Sequence, residues 1–186
     1  MQASLLNVIE PIFEHGFAAH SHGFRPKQGC RDALERVDQL IAAGYVYVVD
    51  AELKAYFDTI PHDQLMKRIE TKISDGRVLE LIQAFLKAGI MDGLTEWTPT
   101  QGAPQGAVLN SLLSNIYLDP LDHLMAGRGF EMVGCADDFV ILCRTPEAAT
   151  EALQTVQDWV TIAGLTLHPT RTRIVDPRSC SFAFPG

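Results

Sequence analysis

The chain has 186 residues, 47% of them apolar and 20% charged, with a net charge of −8. This is the composition of a globular chain long enough to bury a core without staples, and it excludes disorder. The acidic balance is spread along the chain and leaves no basic arm, so composition by itself votes mildly against nucleic acid. No uninterrupted apolar run approaches the ~18 residues of a membrane helix, and the N-terminus lacks the basic stretch and apolar core of a signal peptide. Cysteines at 30, 135, 143 and 180 form no CxxC pair and no Cys/His cluster. That pattern disfavours a zinc site or a disulfide framework and makes a cytoplasmic location the expectation.

In chain order, Leu5, Leu6, Ile9, Ile12 and Phe13 form one stripe and predict a helix over 4–14. Gly16, Gly23, Pro26 and Gly29 mark a loop over 15–29. A second helix fits 30–43, with Gly44 placed to end it. The run Tyr45-Val46-Tyr47-Val48-Val49 reads as a buried strand. Pro61 opens a helix to about residue 73, and an amphipathic helix spans 77–88. Asp92-Gly93 signals a hairpin within 90–98. Gly102, Pro104 and Gly106 make a turn into an apolar helix from Val108 to about Leu118, which Pro120 ends or kinks. Strands follow over 130–134 and 139–143. Thr145-Pro146-Glu147 starts a helix that reaches Gly164. Short strands over 165–167 and 173–175 close the chain. This order predicts an α+β fold, helices packed on a mostly antiparallel sheet.

Three local features carry chemistry. Asp137 and Asp138 are adjacent carboxylates at a turn between apolar strands. They read either as a solvated hairpin tip or as a metal site, since close like charges repel unless a cation offsets them and Mg²⁺ takes carboxylate oxygens. Asp50 and Glu52 are two apart on a strand and share a face; they mark either the point where the strand emerges into water or a partnered site. Tyr56 and Phe57, close by, read as core residues or ligand contacts. The third feature, Gly102-Ala103-Pro104-Gln105-Gly106, is an ordinary turn or a loop whose backbone N–H groups face phosphate at a helix start.

Taken in order, several segments carry a resemblance. They are Ser21-His22-Gly23-Phe24-Arg25-Pro26, Val49-Asp50-Ala51-Glu52-Leu53-Lys54-Ala55-Tyr56-Phe57-Asp58, Ala103-Pro104-Gln105-Gly106, Leu112-Leu113-Ser114-Asn115-Ile116-Tyr117-Leu118, Ala136-Asp137-Asp138-Phe139 and Leu165-Thr166-Leu167-His168-Pro169. Over nearly its whole length the chain resembles the reverse transcriptases encoded by bacterial group II introns. The resemblance implies a right-hand polymerase palm over 45–175, part of the fingers over 1–44, and a truncated tail over 176–186. The remaining fingers and the basic thumb are expected elsewhere in a parent protein.

The resemblance also assigns roles. Asp137 and Asp138 match the paired aspartates of the family's Tyr-Ala-Asp-Asp hairpin, and Glu52 stands where the family has the aspartate of its first metal-binding strand. These three are the implied catalytic and metal residues, with Mg²⁺ as cofactor and Mn²⁺ as a possible substitute. Phe57 matches the gate that selects deoxynucleotides. Gln105, Lys54 and Arg171 are implied nucleotide contacts, Arg171 replacing a lysine of the late palm motif. Arg25, Pro104 and Gly106 are implied template contacts. The implied activity is RNA-directed DNA polymerisation by two-metal nucleotidyl transfer, with an RNA template, a DNA primer and deoxynucleoside triphosphates as partners and no membrane. Departures such as Cys135 for tyrosine, Glu52 for aspartate and Ala107 for glycine predict weakened activity. The rival is a non-catalytic remnant that binds RNA or protein weakly. A nucleotide cyclase-like domain shares the palm and paired acids, but its Gly-Gly-Asp/Glu-Glu-Phe turn is replaced here by Cys135-Ala136-Asp137-Asp138-Phe139.

Overall fold

The structure, a computed structural model, describes residues 2–88, 90–92, 95–97, 100–103 and 108–176. Its elements in chain order are α1 (Gln2–Glu14), α2 (Cys30–Ala42), β1 (Tyr47–Glu52), α3 (Tyr56–Thr59), α4 (His62–Glu70), α5 (Gly76–Leu86), β2 (Ile90–Asp92), β3 (Thr95–Trp97), α6 (Asn110–Gly127), β4 (Glu131–Cys135), β5 (Asp138–Cys143), α7 (Pro146–Ile162) and β6 (Arg173–Val175). The chain divides into two compact units. One joins Met1–Gly16 to Ala55–Tyr117, the other Phe17–Lys54 to Leu118–Gly186.

Among its described residues the first unit consists of helices, the β2–β3 hairpin, which pairs Ile90 with Trp97, and an isolated Pro61–Gln101 bridge. Apolar stripes of its helices bury Ile9, Phe13, Leu65, Ile69, Ile82, Leu86 and Leu113. Two buried tyrosines need partners for their hydroxyls. Tyr56 donates to the Ser114 carbonyl at 2.7 Å, and Tyr117 to Gln64 Oε1 at 3.0 Å. The Arg68 guanidinium lies 3.8 Å from the centre of the Tyr117 ring. Asp75 caps α5, its carboxylate accepting the Arg77 N–H at 2.8 Å. Gly102 has φ +82°, and a Cβ there would sit 2.7 Å from the Asp58 carbonyl oxygen. Only glycine therefore fits where this segment runs against α3.

The second unit is a four-stranded sheet in the order β4-β5-β1-β6, antiparallel throughout. Its register puts Val48, Asp50 and Glu52 of β1 in one row with Leu142, Val140 and Asp138 of β5. Val133 and Cys135 of β4 continue that face. Ala33, Val37 and Leu40 of α2 cover its apolar part, packing on Val48, Val133, Val140, Leu142 and Val175. Val49, Ala51, Phe139 and Ile141 are buried on the other face. There α7 packs on β1 and β5, burying Ala149, Ala152, Val156 and Val160. The α7 start is as expected: the Thr145 hydroxyl accepts the Ala148 N–H at 3.2 Å, with Pro146 at the first position.

Three elements differ from expectation. Helix α6 continues through Pro120 to Gly127, because Leu121 and Met125 beyond the proline are fully buried and that burial outweighs one missing donor. The 165–167 segment forms a single bridge, Leu167 to Leu53, rather than a strand. Cys30 and Cys135 form a disulfide with Cα atoms 5.7 Å apart. They are 105 residues apart in sequence, so spacing could not pair them; only the packing of α2 on β4 does.

Candidate active site

The acids converge because of how β1 and β5 pair. Glu52 stands opposite Asp138. The Leu53 N–H donates to the Asp137 carbonyl at 3.2 Å, so Glu52 and Asp138 form a non-hydrogen-bonded pair, the type that brings side chains closest. Cys135 pairs with Asp138 across the β4–β5 hairpin, leaving Ala136 and Asp137 as its two-residue turn. Ala136 has φ +64°, a left-handed conformation that costs a non-glycine residue roughly 1 kcal/mol. The face that α2 covers with apolar groups at one end therefore ends in carboxylates at the other.

Cations already meet these acids. Arg171 Nη1 lies 2.7 Å from Glu52 Oε2, with side chains 63% and 20% exposed respectively. Arg173 Nε lies 3.5 Å from Asp50 Oδ2. Arg171 is placed by main-chain bonds: Lys54 N–H donates to the Thr166 carbonyl and His168 N–H to the Glu52 carbonyl, both at 2.8 Å. Burial pushes the Asp50 carboxyl above its ordinary range, against the pull of Arg173 and with a further push from Glu52. Burial likewise raises Asp137, opposed by a backbone hydrogen bond and helped by the charge of Glu52. The hydrogen bond to Glu52, together with its charge, raises Arg171.

A loop braces the turn that carries the aspartates. The His22 N–H donates to the Gly134 carbonyl at 2.8 Å, and the Gly134 N–H donates to the His20 carbonyl at 3.0 Å, so the loop adds to the β4 edge. Gly23 then lies against the turn; a Cβ there would fall 2.0 Å from the Ala136 nitrogen. Arg25 donates to the Ala18 and Ser21 carbonyls at 2.6 and 2.9 Å and lies 5.5 Å from the Phe17 ring centre. Its guanidinium thus ties the loop together. Local sequence does not point to His20 or Asp122, whose surroundings are set by tertiary contact; Gly23 is marked by the sequence as a loop glycine, within the segment that carries the resemblance, but not as a seat for the aspartate turn.

The structure brings together Glu52, Asp137, Asp138 and Arg171. Lys54 is exposed in the turn two residues beyond the end of β1. Phe57 belongs to the first unit, half-buried, its ring 5.5 Å from that of Tyr56, and its carbonyl accepts the Ala103 N–H at 2.8 Å. Pro104, Gln105 and Gly106 lie outside the described residues. The donor set suits a hard cation, since Mg²⁺ takes carboxylate oxygens. Its arrangement does not yet: among the described residues no three His, Cys, Asp or Glu side chains are grouped to hold a metal ion.

Comparison with known proteins bears on the same segments. The profile of the family described as reverse transcriptase (RNA-dependent DNA polymerase) matches residues 1–183. The chain is 37% identical over 132 residues to Protein YkfC of Escherichia coli (strain K12), covering 69% of this chain and 35% of that protein. It is 38% identical over 125 residues to the group II intron-encoded protein LtrA of Lactococcus lactis subsp. cremoris, covering 67% of this chain and 21% of that protein. The chain thus spans about a third or less of these curated relatives. Among solved structures, telomerase from Candida albicans in complex with a fragment of telomeric RNA superposes with a TM-score of 0.68 at 13% identity. That match covers 97% of this chain and 34% of the telomerase chain, and shows a shared fold. No helix among the described residues is long and apolar enough to cross a membrane. The chain belongs to the reverse transcriptase (RNA-dependent DNA polymerase) family, in a form similar to the group II intron-encoded proteins.

Proposed function

We propose that this chain carries the polymerising centre of a group II intron-type reverse transcriptase, with 1–44 as part of the fingers and 45–175 as the palm. The observation that carries this reading is the register of Glu52 opposite Asp138 beside the Asp137 turn. It puts three acidic positions about 85 residues apart in sequence at one end of the sheet. Glu52, Asp137 and Asp138 are the residues that would hold divalent ions, Mg²⁺ or Mn²⁺. Such ions supply activation of an attacking hydroxyl and neutralisation of a departing pyrophosphate. Phe57, Lys54, Gln105 and Arg171 are assigned to the deoxynucleoside triphosphate, and Arg25, Pro104 and Gly106 to the RNA template. The tie between Arg25 and its own loop supports a role in shaping the template-side surface.

Primer extension on an RNA template with Mg²⁺ or Mn²⁺ tests this, with Asp137→Ala as the control. The chain is expected to extend a DNA primer weakly, in keeping with the departures at Glu52, Ala107 and Cys135, and Asp137→Ala to lower the rate more than about a hundredfold, since even a ~1 Å misplacement costs that much. Extension that survives Asp137→Ala, or its absence from the unaltered chain, overturns the assignment. The second outcome favours a non-catalytic remnant, a reading supported by the Arg171 contact on Glu52.

A further inference from the structure

We infer that Arg171 is a latch on Glu52, occupying the carboxylate that a divalent cation would need, so that the acidic end of the sheet binds such an ion only when Arg171 withdraws. The inference rests on reading Glu52, Asp137 and Asp138 as a cation-binding set. Glu52 Oε2 accepts from Arg171 Nη1 at 2.7 Å, a charge-assisted contact that takes up an oxygen a metal would share. Among the described residues no three acidic, His or Cys side chains, these three included, are grouped to hold a metal ion while Arg171 is on Glu52. The two arginines at this end divide their partners, Arg173 on Asp50 and Arg171 on Glu52.

The latch has a fixed base and a movable tip. Its base is the 165–171 segment, held to β1 by the Lys54–Thr166 and His168–Glu52 main-chain bonds and by the Leu53–Leu167 bridge. Its tip is a long side chain, 63% exposed, free of the packing that would stop it swinging into water. Glu52 is the other requirement. An aspartate would end about one C–C bond, ~1.5 Å, short. A 2.7 Å contact would then open beyond hydrogen-bond reach. An exposed ion pair is weak, so the latch tunes cation affinity and does not abolish it.

The test is Mn²⁺ titration of the chain, following free Mn²⁺ by electron paramagnetic resonance, with circular dichroism confirming the fold of each variant. Arg171→Gln is expected to tighten Mn²⁺ binding about three- to tenfold. Arg173→Gln removes the same charge from the same end and is expected to change affinity less than about twofold. In a Glu52→Asp background, Arg171→Gln should also act less than about twofold, because the contact no longer exists to be broken. Equal effects of the two arginine variants, no tightening by Arg171→Gln, or an undiminished effect beside aspartate each overturn the latch. Asp137→Ala separates the two levels. Mn²⁺ binding that Asp137→Ala weakens while Arg171→Gln leaves it unchanged removes the latch alone. Mn²⁺ binding indifferent to Asp137→Ala removes the cation-site reading, and the latch with it.

Discussion

Asp122 shows how one residue can set the pH response of the second unit. It lies in α6 with 8% of its surface exposed. Burial, followed by repulsion from Asp119, pushes its carboxyl up to about 7, while His123, the Ser21 hydroxyl and Arg25 pull the other way. The folded pKa stands above the unfolded one, so the folded chain keeps a proton that the unfolded chain has released. Stability from this group is therefore lost progressively as pH rises from about 4 to about 7 and stays lost above that. Asp122→Asn keeps an acceptor for Ser21 and removes the titration. It is expected to raise stability at pH 8 by up to about 3–4 kcal/mol while changing little at pH 4.5. Urea midpoints of both proteins at the two pH values check this. His20 and His22, whose pKa values burial lowers, give the opposite slope in both proteins and cancel in the comparison. Nothing in the sequence around Asp122 marks it as buried. Pro120 suggested that the helix stopped there, and the residues surrounding Asp122 include Ser21 and Arg25, about a hundred positions away.

At the scale of elements, helix starts and turns were legible, whereas the end of α6, edges and pairings were not. Thr145-Pro146 and the 30–43 stripe work because caps and helical periodicity act within a few residues. Strand β1 carries Asp50 and Glu52 as expected, running to Glu52 where β5 on one side matches it residue for residue. Its acids could be put on one face from spacing alone. Which strand they would meet depended on sheet order, which no local pattern encodes. The same holds for the 17–29 loop, whose glycines announced a turn but not its seat against the β4–β5 turn. Gly23→Ala tests that seat. A Cβ 2.0 Å from the Ala136 nitrogen and 2.7 Å from its Cα meets backbone, which cannot rotate aside. The loop or the turn must move, at a cost of about 1–3 kcal/mol typical of overpacking. Thermal melting should register the loss, and hydrogen exchange should show faster opening at Cys135 to Asp138 than at α7. Equal stability, or exchange that speeds up evenly, would mean that the loop does not brace the turn.

At the scale of the whole chain, each compact unit is assembled from two separated segments, so connectivity crosses between them repeatedly and long closed loops carry a large entropic weight. The Cys30–Cys135 disulfide, spanning 105 residues, closes a loop that contains all of Ala55–Tyr117. The chain-entropy account gives about 4–5 kcal/mol for a loop of this length, against about 2–4 kcal/mol for typical disulfides. The bond also ties the first residue of α2 to the last residue of β4, beside the Asp137 turn. Composition gave no hint of this, since a chain this long can build its core without cross-links and the cysteines show no motif spacing. The other cysteine among the described residues, Cys143, is pushed up to about 11 by burial and stays a thiol that exchanges poorly, so among the described residues reduction acts on one bond. Dithiothreitol, Cys30→Ser and Cys135→Ser are each expected to lower the melting temperature by roughly 5–15 °C, and dithiothreitol to add nothing to either variant. A melting temperature that dithiothreitol leaves unmoved would show that the two sulfurs are not bonded in solution. A drop in only one of the two serine variants would trace the loss to local packing of that thiol rather than to the cross-link.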